Sequence, residues 1–155
     1  SARASRQTGV AIASHTTSGK AAAVQADILD LLDVPLDRFV WVHAQAEGDT
    51  NFHASLARRG VWIEFDSVGS SEAEDAKTIR LIRGLAEAGL QDKIMISQDA
   101  GWYNPGQPNG GSQRGYTALP KSFLAKLREA GHDENLIRLL TQENPFRAFA
   151  VEMRK

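Results

Sequence analysis

The chain has 155 residues, 18 of them Lys or Arg and 19 Asp or Glu, for a formal net charge of −1. Hydrophobic residues make up 42%, and there is no cysteine. This is enough chain for one domain with a real core, and the balanced charge gives no electrostatic footprint for nucleic acid. Without cysteine there is no disulfide framework or thiolate site, so any metal must be held by His and carboxylate.

No apolar run approaches the ~18 residues that a membrane span requires, and no secretory signal is visible. The chain opens on Ser1 rather than Met, and the visible N-terminus is not expected to be the natural one. A soluble protein is expected, with the cytoplasm favoured and the compartment otherwise open.

In chain order, the first short apolar run is Val10–Ala13. Val24, Ile28, Leu31 and Leu32 then fall at i, i+4, i+7 and i+8, one apolar helical stripe that ends before Pro35. A second strand-like run, Phe39–Val42, precedes a short helix beginning near Phe52 and Leu56, with Gly60 as its C-cap. The third run is Val61–Phe65. Ser71 and Glu74 follow in capping-box spacing, ahead of Ile79, Ile82 and Ala86 and a stop at Gly89. Ile94–Ile96 is the fourth run. A Gly-, Pro- and Asn-rich loop covers Ala100–Gly115, a helix is expected over Leu119–Ala130, and a last helix follows Asp133 and stops at Asn144-Pro145.

The order βαβαβαβα implies a parallel sheet with crossover helices. An open doubly wound sheet and part of a (β/α)8 barrel both satisfy it. A whole barrel needs roughly 200 residues or more, so this chain supplies only about half of one.

Each strand ends in an ionisable residue of metal-binding type: His15, His43, Asp66 and Asp99. Parallel strands bring their carboxyl ends together, where α/β proteins bind ligands. An isolated His or Asp at such a place reads as structural, an Asp most simply as a cap or turn residue. Four such ends in succession are hard to explain as turn chemistry, since His is not a preferred turn or cap residue. Neutral imidazole and carboxylate are what a zinc-like ion takes, leaving a position for water. Water so held has a pKa of roughly 7, which makes hydroxide available at neutral pH.

The segments Thr8–Thr16, Trp41–His43, Phe65–Gly69 and Ile96–Asp99 resemble strands five to eight of the phosphotriesterase family, in the amidohydrolase superfamily. The loop pieces Asn109–Gly111 and Gly115-Tyr116 and the tail Leu140–Pro145 with Phe149 extend the resemblance from Thr8 to Phe149. It lies nearer the phosphotriesterase-homology proteins and lactonases than the organophosphate-degrading enzymes. It implies the C-terminal half, four βα units, of a TIM (β/α)8 barrel, and a single partial domain over 1–155. It also implies a binuclear site, with zinc expected. His15 and His43 would ligate the more exposed metal. Asp99 would ligate the other metal and act as the catalytic residue that handles the proton. The family's His-x-His pair and carboxylated lysine are not in this chain, and its proton-relay positions fall on Ala46 and Ser67. Asp66 and Glu47 are alternative relays.

The implied function is metal-dependent hydrolysis of a small ester-type substrate (a lactone, or a carboxylic or phosphoric ester) by a metal-activated hydroxide. Trp102, Tyr103, Asp66 and Arg114 are candidate substrate-binding residues beside Asp99. No nucleic-acid or membrane partner is expected. The competing reading is an inactive half-barrel or binding module, which would self-associate or pair with a missing N-terminal half. A flavodoxin-like open sheet is a further rival, but His15–Lys20 lacks full phosphate-loop spacing. Glu64 shares strand parity with Asp66 and needs a buried partner. His53 is expected as a partly exposed helix residue, and His132 as a surface cap.

Overall fold

A computed structural model describes residues 1–151. Four strands, β1 (Ile12–His15), β2 (Phe39–Val42), β3 (Trp62–Phe65) and β4 (Ile94–Ile96), form one sheet in the order β1-β2-β3-β4, and every pairing is parallel. α1 (Ala2–Thr8) precedes the sheet. α2 (Gly19–Leu31), α3 (Thr50–Arg58) and α4 (Glu72–Glu87) make the crossovers, and α5 (Leu124–Glu129), α6 (Glu134–Arg138) and α7 (Asn144–Phe149) follow β4. This is the expected α/β order of four βα units. β2 and β4 coincide with their apolar runs. β1 begins two residues later than its run, because Gly9, at φ 76°, caps α1 by donating its N–H to Ser5, and pairing with β2 starts at Ile12.

Strand alternation divides the apolar residues between two faces. Phe39, Trp41, Ile63, Phe65, Ile94 and Ile96 face the helices and meet Ala22, Ala26, Leu56, Ile82 and Leu127 there. Val40, Trp62 and Met95 face the other way and pack with Ala148. Trp41 and Trp62 are both core residues, and each satisfies its indole N–H on a backbone carbonyl, Thr16 at 2.6 Å and Asp37 at 2.9 Å. The capping box forms as expected on one side, with the Ser71 hydroxyl accepting from the Glu74 N–H at 3.1 Å.

Two expectations are corrected. The α2 stripe of Val24, Ile28, Leu31 and Leu32 is exposed, Leu31 at 83%, whereas Ala22, Ala26 and Leu29 are buried. The two sets are offset by two residues, roughly 200° around a helix. α2 is therefore apolar on opposite sides, and the small alanines take the sheet side because they let the helix approach closely. The last helix does not stop at Asn144-Pro145. A π-helical stretch, Leu139–Glu143, leads directly into α7, and its wider turn accommodates Pro145, which has no N–H to give to the preceding turn. Asn144 is fully buried and donates to Gln91 O and Ile94 O, which anchors α7 at the start of β4.

Candidate metal centre

The four strand-end residues gather at the carboxyl edge of the sheet, and two backbone anomalies help bring them there. Counting from Ala11 and Val42, which pack on the Trp62 face, alternation turns His15, Glu64, Asp66 and Asp99 toward that face. The same count would turn His43 toward the helices. Instead His43 adopts a left-handed backbone, φ 65° and ψ 29°, as the N-cap of the Ala44–Ala46 turn. Asp99 is also left-handed, at φ 41°. Non-glycine residues seldom hold such angles, and those that do concentrate at functional sites.

His43 is gripped by Asp66. Asp66 is 3% exposed, and its Oδ2 accepts from the His43 backbone N–H at 2.9 Å and lies 2.8 Å from His43 Nδ1. A carboxylate can only accept here, so Nδ1 is the ring nitrogen that donates, and in the neutral imidazole the lone pair then sits on Nε2. That nitrogen lies 2.9 Å from His15 Nδ1, with the rings edge to face at 4.2 Å between centroids. Gln45 holds the far side of Asp66. Its amide donates to Oδ1 at 2.5 Å, and its carbonyl accepts the Asp66 N–H at 3.2 Å.

His43, Asp66 and Asp99 each offer a ligand atom within 4.8 Å of the others. His15 joins through its contact with His43. The donor set is imidazole nitrogen and carboxylate oxygen, which fits a zinc-like ion. Two nitrogens on one tetrahedral zinc stand about 3.3 Å apart, so the His15–His43 pair need open by only a few tenths of an ångström to share an ion. Glu64 lies on the same face, and its partner is the Ser97 hydroxyl, at 2.9 Å. Burial pushes its carboxyl above the ordinary value, with the nearby Asp66 charge adding to the rise and the Ser97 hydrogen bond opposing it.

The other candidates are distributed differently. Asp66 is buried and turned onto His43 and Gln45. Arg114 spends its guanidinium on backbone carbonyls, those of Val68 at 2.9 Å, Asp99 at 2.8 Å and Gln98. It ties the loop after β4 down instead of presenting a free cation. Trp102 and Tyr103 are 73% and 65% exposed, and the Trp102 indole donates to Asp99 O at 3.2 Å, which keeps the ring beside the site. Glu47 accepts from the N–H groups of Gly19 and Asp49; these bonds lower its pKa and occupy both oxygens. Ser67 turns to the Thr78 hydroxyl, at 3.4 Å.

Two histidines differ from expectation. His53 is 1% exposed rather than partly exposed. It packs on Trp41 and Phe65, and its Nε2 lies 2.7 Å from Ala44 O. His132 is half-buried, and its Nε2 has no hydrogen-bond partner among the described residues. Sequence reasoning passed over Gln45, which sits in a short turn with no periodicity to mark it.

The fold is a parallel α/β sheet that carries a possible metal-binding group of imidazole and carboxylates at its carboxyl edge. The chain belongs to the phosphotriesterase family, whose model matches residues 1–149. It is 28% identical over 149 residues to the phosphotriesterase homology protein of Escherichia coli, covering 96% of this chain and 50% of that protein. Among solved structures it resembles a lactonase from Listeria monocytogenes at 28% identity and TM-score 0.81, over 97% of this chain and 47% of that one. A variant of the organophosphorus hydrolase from Deinococcus radiodurans matches at 28% identity and TM-score 0.81, over 96% and 49%. The chain thus spans about half the length of these relatives, and its four parallel βα units correspond to about half of their barrels.

Proposed function

We propose that this chain is the C-terminal half of a metal-dependent hydrolase acting on lactones or related carboxylic or phosphoric esters. The observation that carries the proposal is the convergence of His15, His43 and Asp99 at one sheet edge, with His43 and Asp99 held there at positive φ. His15 and His43 would hold one divalent metal, zinc in our reading, and Asp99 a second. Such metals, when bound, supply Lewis acidity and water with a pKa near neutrality.

The rest is the work of this chain's own side chains. Asp66 keeps the His43 Nδ1 protonated and its Nε2 available. Asp99 offers a carboxylate that can take a proton from water and pass it on. Trp102 and Tyr103 lie where an apolar leaving group would rest, and Arg114 holds their loop against the strand ends. The lactonase and organophosphorus hydrolase relatives support the ester-type substrate class.

A second reading, a non-catalytic half that works only through a partner, is favoured by the outer edges of β1 and β4, which have no strand partner among the described residues, and by the exposed α2 stripe. Zinc titration of the purified chain, alone and mixed with a separately expressed N-terminal half of a relative, tests both readings, with lactone turnover followed in parallel. Zinc bound by the wild-type chain and lost in His43→Ala supports the metal site. No zinc binding and no turnover in either setting would refute the hydrolase reading.

A further inference from the structure

We infer that Gln45 is a positioning residue of the metal site, one that sets the tautomer and aim of His43 through Asp66. The inference rests on the metal-site reading above. Among the described residues, the hydrogen bonds of the Gln45 side chain go to Asp66 and to neither His15 nor His43. Gln45 is 8% exposed and makes a two-point contact with residue 66, donating to Oδ1 at 2.5 Å and accepting from the backbone N–H at 3.2 Å. This contact fixes Oδ1 as the Asp66 oxygen that faces Gln45. With Oδ1 occupied, Oδ2 is the oxygen that meets His43, and it does so twice, at the backbone N–H and at Nδ1.

The two contacts to His43 have separate consequences. The backbone contact braces a residue whose φ of 65° is unfavourable for any side chain. The ring contact selects the Nδ1–H tautomer and directs the Nε2 lone pair at His15 Nδ1. Without Gln45, the carboxylate could rotate, share its oxygens differently and let the imidazole exchange tautomers. Carboxylates that orient ligating histidines are a recurring part of metal sites, and their loss weakens metal binding by roughly 10- to 100-fold. Here the carboxylate itself needs an orienting group, and Gln45 supplies it from two residues beyond the ligand.

The test compares the wild-type full chain with Gln45→Met, which keeps the side-chain length without its polar atoms, and Gln45→Glu, which keeps an acceptor but loses the N–H donor. Imidazole 15N shifts of the metal-free proteins report the His43 tautomer, and competition with a chromophoric chelator reports zinc affinity. We expect wild-type His43 to show one protonated Nδ1 and one unprotonated Nε2. In both variants the two signals should move toward an exchange average, with zinc affinity about tenfold weaker. Unchanged shifts with affinity within twofold of wild type in either folded variant would overturn the inference. So would loss of the fold in both variants, since that assigns Gln45 to the scaffold instead. A wild-type chain that binds no zinc would count against the metal-site reading alone, because the tautomer comparison is made without metal.

Discussion

Replacing Asp66 by asparagine isolates the contribution of its negative charge and acceptor capacity at nearly constant volume. In the native chain the carboxylate accepts from three donors: the His43 N–H, His43 Nδ1 and the Gln45 amide. With Asp66→Asn, the new carbonyl can face His43 or Gln45, but not both. If it faces His43, the new amide meets the Gln45 amide donor to donor. If Gln45 then flips, the backbone N–H of residue 66 loses its acceptor. Every arrangement leaves one buried donor unsatisfied, at a cost of about 1–3 kcal/mol. That corresponds to a fall in Tm of roughly 2–4 °C per kcal/mol for a chain of this size. Thermal and urea unfolding followed by circular dichroism measure the loss, and zinc competition should show affinity weakened roughly 10- to 100-fold. A variant within 0.5 kcal/mol of wild type, with unchanged zinc affinity, would refute the hydrogen-bond assignment around Asp66.

Two further predictions concern the scaffold. Burial lowers the pKa of His53 below its ordinary 6.5, so the unfolded chain takes up a proton before the folded chain does. The associated stability is therefore fully present above about pH 6.5 and declines as pH falls from there toward the lowered folded value. Urea unfolding from pH 8 to pH 5 should show this slope, and His53→Phe should flatten it; an equal slope in both proteins would exclude His53 as its source. On α2, Leu31→Gln should leave unfolding stability within about 0.5 kcal/mol of wild type, because Leu31 is 83% exposed. A loss above 1.5 kcal/mol that grows with protein concentration would show instead that the α2 stripe is covered by another copy.

The strand positions and the residue types at their ends were legible in the sequence, because both are local properties. A strand buried on both faces must be a short continuous apolar run, and the residue that ends it is read directly. β2 and β4 could be located to the residue, and His15, His43, Asp66 and Asp99 all stood out together. Glu64 could be placed on the site's face by parity alone, though not given its partner, Ser97.

Tertiary structure decided whatever depends on a choice between locally equivalent options. α2 carries apolar residues on opposite sides, and only the approach of the sheet selects Ala22, Ala26 and Leu29 over the larger Val24, Ile28 and Leu31. Pro145 is a stop signal in isolation, yet a π-helical stretch before it lets the chain continue as helix. Alternation would have sent His43 to the helix layer. A left-handed backbone, secured by a carboxylate 23 residues away, turns it to the other face. A φ above zero at a histidine leaves no mark in composition or periodicity, and neither does the Gln45 that steadies its carboxylate, because both follow from contacts between segments distant along the chain.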